Sequence, residues 1–274
     1  MNRIRRWRVV GAVLLIALTS SISACDSVAD ESLPLATTSM HRWPSTEAYE
    51  VPDQIRDATM VWSSEPGIDL FSTEGTLIRA AQESFAIGSM VGLDYTYVGF
   101  AESSNSMAGG PLYSLFQADT GEGPFAGTIR GHVQQIVPTD NGFDAILCAI
   151  SIGLDVLVDG KYRPSRLASG QGSELRSRFI RTGDLISAPA TRQPSSVPRS
   201  DDLHWQAPTG NQFTGWEIDG FTDRDPTTSG NDRCVPWARS LYPDAPAVIA
   251  RDAYARDNPP PVQAAYPGWP DSSN

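Results

Sequence analysis

The sequence predicts an α+β fold, in which one N-terminal helix packs on a curved antiparallel sheet and an irregular Pro- and Trp-rich C-terminal segment follows. Three observations carry that expectation. Apolar residues recur at helical spacing in "STEGTLIRAAQESFAIGSMVG". Two β-prone runs, "GTIRGHVQQIVP" and "FDAILCAISIGLDVLV", flank Thr139-Asp140-Asn141-Gly142. Beyond Pro189 the long periodic segments cease, and Pro, Gly, Asp and Trp accumulate.

The chain opens on "MNRIRRWR", with Arg3, Arg5, Arg6 and Arg8 and no acid, followed by an apolar run from Val9 to Leu18. A run of roughly ten residues is too short to span a bilayer, which takes about 20. A basic start, a short apolar region and small residues behind it form the pattern of an export signal. At its end, Ile22-Ser23-Ala24-Cys25 resembles the lipobox of bacterial lipoproteins, with Ile22 where that family usually has Leu. The resemblance implies that the Cys25 thiol becomes a diacylglyceryl thioether and that residues 1–24 are removed. It also implies a membrane partner, the N-terminal lipid holding the body at the outer face of the cytoplasmic membrane, in the cell envelope. Each buried methylene contributes about 0.8 kcal/mol, so two acyl chains anchor durably where one is marginal. The paired arginines weakly match a twin-arginine signal, but their surroundings favour the general secretion route. One lysine, Lys161, stands beside twenty arginines. With the lipobox, that composition is similar to uncharacterised envelope lipoproteins of actinobacteria such as mycobacteria.

Loss of residues 1–24 removes four arginines and takes the formal charge from −11 to −15. Charge of that sign is repelled by phosphate backbones, which argues against nucleic acid as a partner. Residues 25–48 are polar and aperiodic and are expected to be a flexible tether.

The core domain is expected over residues 49–190. Ser72 or Thr73 can cap its helix. Leu77, Ala80, Ala81 and Phe85 fall on one side, with Arg79, Gln82 and Glu83 on the other, and Gly92 ends it. "LDYTYVGF" is expected to be extended. In the hairpin, Asn-Gly tolerates positive φ. Along its first arm Ile129, Gly131, Val133, Gln135 and Val137 share one face; Thr128, Arg130, His132, Gln134 and Ile136 share the other. Val158-Asp159-Gly160-Lys161-Tyr162 marks a further tight turn, and "LRSRFIRTGDLISAP" a last strand or a short helix before one. Residues 191–257 are expected to be irregular and packed on the core, with only "APAVIARDAYARD" helical. Residues 258–274 are expected to be a disordered Pro-rich tail. One helix ahead of a curved antiparallel sheet resembles the cone-shaped fold of nuclear transport factor 2-like proteins, on element order alone.

With Cys25 assigned to lipid, Cys148 and Cys234 form an even pair, which outside the cytoplasm reads as a disulfide. The alternative is two separate buried thiols. Catalytic patterns are sparse. The chain has no Gly-x-Ser-x-Gly, no His-Glu-x-x-His and no Cys-x-x-Cys, and "GEGPFAG" lacks the Lys-Ser/Thr of a phosphate loop. His41 falls in the tether. His132 lies mid-strand beside Arg130 and Gln134, either as an acid/base group in a pocket or as a half-exposed sheet residue. His204, near Asp201 and Asp202, is either a metal ligand or a packed loop residue. Asp219, Asp223, Asp225 and Asp232 supply oxygen ligands, but Pro226 breaks the calcium-loop pattern. Trp205, Trp216, Trp237 and Trp269 serve either as anchors for an irregular segment or as an exposed binding surface. The sequence therefore favours a non-catalytic binding or assembly module with no cofactor, partnered by an envelope protein or a small apolar ligand. The alternatives are an envelope hydrolase using His132 or a carrier of that ligand, which an apolar cavity of several hundred Å³ would favour.

Overall fold

The computed structural model describes residues 49–104, 116, 123–166, 168–182, 203–222 and 233–269. The expected signal, the expected lipid site Cys25 and the expected tether lie outside the described residues. So do His41, Asp201, Asp202, Asp223, Asp225 and Asp232.

Among the described residues a 3-10 turn (Asp53–Ile55) and strand β1 (Asp57–Ser64) precede the helix, which corrects its expected N-terminal place. In the strand, Ala58, Met60 and Trp62 are buried. It pairs in parallel with β2 (Phe125–Thr139), placing Ser63 beside His132. Between them runs α1 (Thr73–Val91), where the sequence predicts it. The Ser72 hydroxyl accepts from the Gly75 amide at 3.0 Å, and Gly92 closes the helix with φ 110°. The side that carries Arg79, Gln82 and Glu83 is buried as well: Arg79 and Glu83 are 0% and 3% exposed, and Gln82 is buried too. Apolar residues such as Leu77, Ile78 and Ile87 cover most of the helix, and the C-terminal tail covers the side those charges occupy.

Among the described residues, the remaining strands make a curled, otherwise antiparallel sheet of seven in all, consistent with the α+β class. Thr139 pairs with Gly142, leaving Asp140 and Asn141 as the turn into β3 (Gly142–Ile150). The hairpin is where Asn-Gly places it, but neither turn residue has positive φ. That geometry appears instead at Asp159 (φ 51°) and Gly160 (φ 74°), which join β4 (Leu154–Val158) to β5 (Lys161–Pro164). Strand β6 (Ser173–Arg181) lies against β3. Gly131 is needed for packing, since a Cβ there would stand 2.5 Å from the Trp62 ring. The core between α1 and the sheet gathers Met60, Trp62, Ile78, Ile129, Val133, Leu147 and Phe179.

Four further expectations are corrected. "LDYTYVGF" is not extended: it holds a 3-10 turn (Leu93–Tyr95) and the start of α2 (Phe100–Ser103), because Tyr97 and Phe100 turn inward to bury their rings. The segment taken as irregular contains strand β7 (Trp216–Thr222) on the edge of β6, where Trp216 and Ile218 alternate with exposed residues. It also contains α3 (Cys234–Leu241), whereas "APAVIARDAYARD" supplies only a 3-10 turn at Arg251–Tyr254. There the backbone has a competing partner, since Arg256 exchanges two 2.8 Å hydrogen bonds with Tyr162 on β5.

The fourth correction concerns the tail, which packs over residues 258–269. Gln263 donates to the Thr128 hydroxyl at 2.9 Å, and its carbonyl accepts from Thr59 at 2.7 Å. Tyr266 then exchanges backbone hydrogen bonds with Met60 and Trp62. The tail thus covers the open edge of β1, whose unpaired backbone groups would otherwise recruit another chain. Among the described residues, no helix is long and apolar enough to cross a membrane.

Candidate functional site

Successive residues of a strand face opposite ways, so Trp62 and Ser63 lead to two different polar centres.

Under Trp62 lies a buried cluster. Glu83 Oε1 accepts from Trp62 Nε1 at 2.9 Å, while Oε2 accepts from the Tyr97 hydroxyl at 2.7 Å and Trp269 Nε1 at 2.6 Å. Arg79 donates to the carbonyls of Pro267 at 2.8 Å and Gly268 at 3.3 Å, with its guanidinium 4.4 Å over the Trp269 ring. Trp205 Nε1 reaches the Tyr97 hydroxyl at 2.9 Å. Burial pushes the Glu83 carboxyl up from its ordinary range, against the opposing pull of Arg79 and the three donors. Burial likewise raises the phenols of Tyr97 and Tyr49, with Glu83 adding to both shifts. Nothing reactive faces water here. The cluster is a clamp on the tail, and Trp205, Trp216 and Trp269 are buried anchors.

Ser63 leads to the other face. The residue is exposed; its hydroxyl lies 2.9 Å from His132 Nδ1 and donates to the Gly131 carbonyl at 3.4 Å, and His132 Nε2 lies 3.3 Å from Glu65 Oε1. Glu65 is fixed by its own amide, which donates to the Val133 carbonyl at 2.9 Å. His132 is only 7% exposed because the Trp237 ring stacks on it, 5.3 Å between centroids and 18° between planes. The disulfide puts Trp237 there. Cys148 is the cross-strand partner of His132 and is bonded to Cys234, with Cα atoms 5.5 Å apart. The bridge pins the start of α3 beside the imidazole, and Trp237 follows three residues later, on the same helix face. Gln134 Nε2 adds a 2.8 Å hydrogen bond to the Arg233 carbonyl. The expected disulfide is therefore present, and it positions the expected histidine.

At the other end of α3 a cavity of about 350 Å³ opens, lined mainly by apolar groups of Ile152, Ala168, Leu241, Pro246 and Ile249. Tyr242 is set at its side by donating to the Ile152 carbonyl at 3.0 Å and accepting from Arg130 Nε at 3.2 Å. Asp155, fully buried, also lines it, with Oδ2 2.9 Å from Arg256 Nε as an ion pair without hydrogen-bond alignment. Burial pushes the Asp155 carboxyl up, and Arg256 pulls it back.

His204 is exposed, 3.5 Å from Asp57 at the sheet edge, and Asp219 lies exposed on β7. Among the described residues, no group of three or more His, Cys, Asp or Glu is placed to hold a metal ion. Sequence reasoning missed Ser63 and Glu65, because nothing in "WSSEPG" announces pairing with a strand some 70 residues on. Comparison with known proteins finds no match: no family model, no curated protein and no solved structure is significantly similar to the chain.

Proposed function

We propose that this chain is a lipid-anchored, exported cell-envelope protein whose body binds a small, largely apolar ligand in the cavity beside α3. The cavity carries the reading. Its apolar lining favours a hydrophobic molecule, its volume suits a small one, and its few polar groups would fix an orientation. The basic N-terminus, short apolar run and Ile22-Ser23-Ala24-Cys25 support export and acylation at Cys25. A lipid tether would hold such a binder on the outer side of the cytoplasmic membrane, where hydrophobic envelope molecules pass. The finer fold reading, a cone of the nuclear transport factor 2-like type, rests on α1 preceding most of the curled sheet.

Wild type and Ala168→Trp, which fills the cavity, are purified in parallel and their organic extracts compared by mass spectrometry. A species enriched in the wild-type extract and missing from the variant is the expected result; identical extracts from two equally folded proteins would reject the reading. Metabolic labelling with a clickable fatty acid, expected in wild type and lost in Cys25→Ala, tests the anchor separately.

A further inference from the structure

We infer that Ser63 is an activated nucleophile, with His132 as its general base and Glu65 as the group that orients His132, suited to acyl transfer from carboxylic esters. The assignment rests on atoms. Glu65 faces Nε2, so the neutral imidazole carries its proton there and turns the Nδ1 lone pair to the Ser63 hydroxyl at 2.9 Å. A nucleophile bonded to a base, and the base bonded to a third group that orients it, is the arrangement such chemistry requires. It is recognised by roles and not by chain order. Here the roles fall to one loop residue and two strand residues, in an order no sequence motif describes.

Exposure separates this trio from the buried Glu83 cluster on the other face of the sheet. Ser63 is open to solvent, whereas His132 is held between its ladder and the Trp237 ring. The base is thus fixed and the nucleophile accessible. The half-buried Trp237 ring stacked on His132 gives an aliphatic acyl chain an apolar wall, which selects esters with an apolar acyl part.

The step balances without a cofactor. Ser63 Oγ attacks the ester carbonyl carbon as its proton passes to His132 Nδ1. The tetrahedral adduct then collapses, the carbon–oxygen bond to the alcohol breaks, and that alcohol leaves with the proton from Nδ1. Water attacks the acyl-Ser63 ester by the same route, giving the carboxylic acid and free Ser63. The open position leaves the transient oxyanion to water, a weaker stabiliser than fixed donors. Covalent capture is therefore a more sensitive readout than turnover.

The test treats the full-length protein with an alkyl fluorophosphonate and maps the adduct by peptide mass spectrometry. Phosphonylation of Ser63 is expected, absent in Ser63→Ala and slowed about 10²-fold or more in His132→Gln. Glu65→Gln, a change at an exposed side chain, is expected to slow labelling by less while leaving the fold intact. It carries the test if His132→Gln fails to fold. No adduct at Ser63, or equal labelling rates in wild type and Glu65→Gln, would overturn the assignment. Labelling reads Ser63 and the extract comparison reads the cavity, so failure here and failure of the ligand-binding reading are distinguishable.

Discussion

On the α1 face of the sheet a carboxylate, a guanidinium and three ring donors meet with every member buried; on the α3 face a carboxylate, an imidazole and a hydroxyl meet with two of the three wet. The chemical inventories are alike and the consequences differ. Glu83 has a partner for each oxygen and no access to substrate, so its energy goes into holding residues 258–269 against the body. Ser63 has one strong partner and an open side. A buried carboxylate with both oxygens paired makes a clamp, while partial burial leaves a group free to react.

That contrast breaks most visibly inside the buried cluster, where the charge of Arg79 acts on Glu83. Arg79→Met leaves Glu83 without its cation and is expected to cost about 3–5 kcal/mol near neutral pH. Its pH dependence carries the sign. The Glu83 carboxyl is already raised by burial and rises further once Arg79 is gone. Stability of the variant is then fullest below the ordinary glutamate range and is lost as pH rises through the raised value. Urea unfolding across pH measures this, and a loss that does not vary with pH would mean Glu83 is not the responding group.

A smaller effect is expected on the opposite face. Cys148→Ala with Cys234→Ala opens a link between residues 86 apart in sequence and is expected to cost about 2–4 kcal/mol. It also frees α3, so Trp237 leaves His132 and Ser63 labelling slows, while the Glu83 cluster keeps its near-ultraviolet signature. Unchanged labelling in a folded double variant would show that the bridge does not position the imidazole.

The smallest effect is at the surface. Arg178 donates to both oxygens of Asp144, at 2.7 and 2.9 Å, and this hydrogen bonding holds the Asp144 carboxyl below its usual range. A depressed carboxyl contributes its stability above the ordinary aspartate range and loses it as pH falls through the depressed value. In Arg178→Gln, NMR titration is expected to show Asp144 back at ordinary values, with little change in unfolding midpoint. A large destabilisation would mean the exposed pair matters as much as the buried one.

Much of the architecture was legible where its cause is local. Ser72 and the apolar spacing announce α1, and Asp159-Gly160 announces the β4–β5 turn. What stayed hidden depends on distant partners. Strand β1 pairs in parallel with a strand far along the chain, so no turn chemistry marks it. Arg79 and Glu83 look like a wet helix face until Pro267, Gly268 and Trp269 arrive to cover them. The helical look of "APAVIARDAYARD" ignored the edge of β5, which claims Arg256. At the site, His132 and both cysteines could be singled out as residue types, but Ser63 and Glu65 became meaningful only once β1 lay beside β2.

Trp269 and Glu83 stand 186 residues apart in sequence. A chain emerging from its amino end therefore completes α1 long before anything exists to cap its charges, and until then those groups must stay hydrated. Maturation of this body waits on residues 258–269, and a chain halted before they are made would be an open, sticky intermediate.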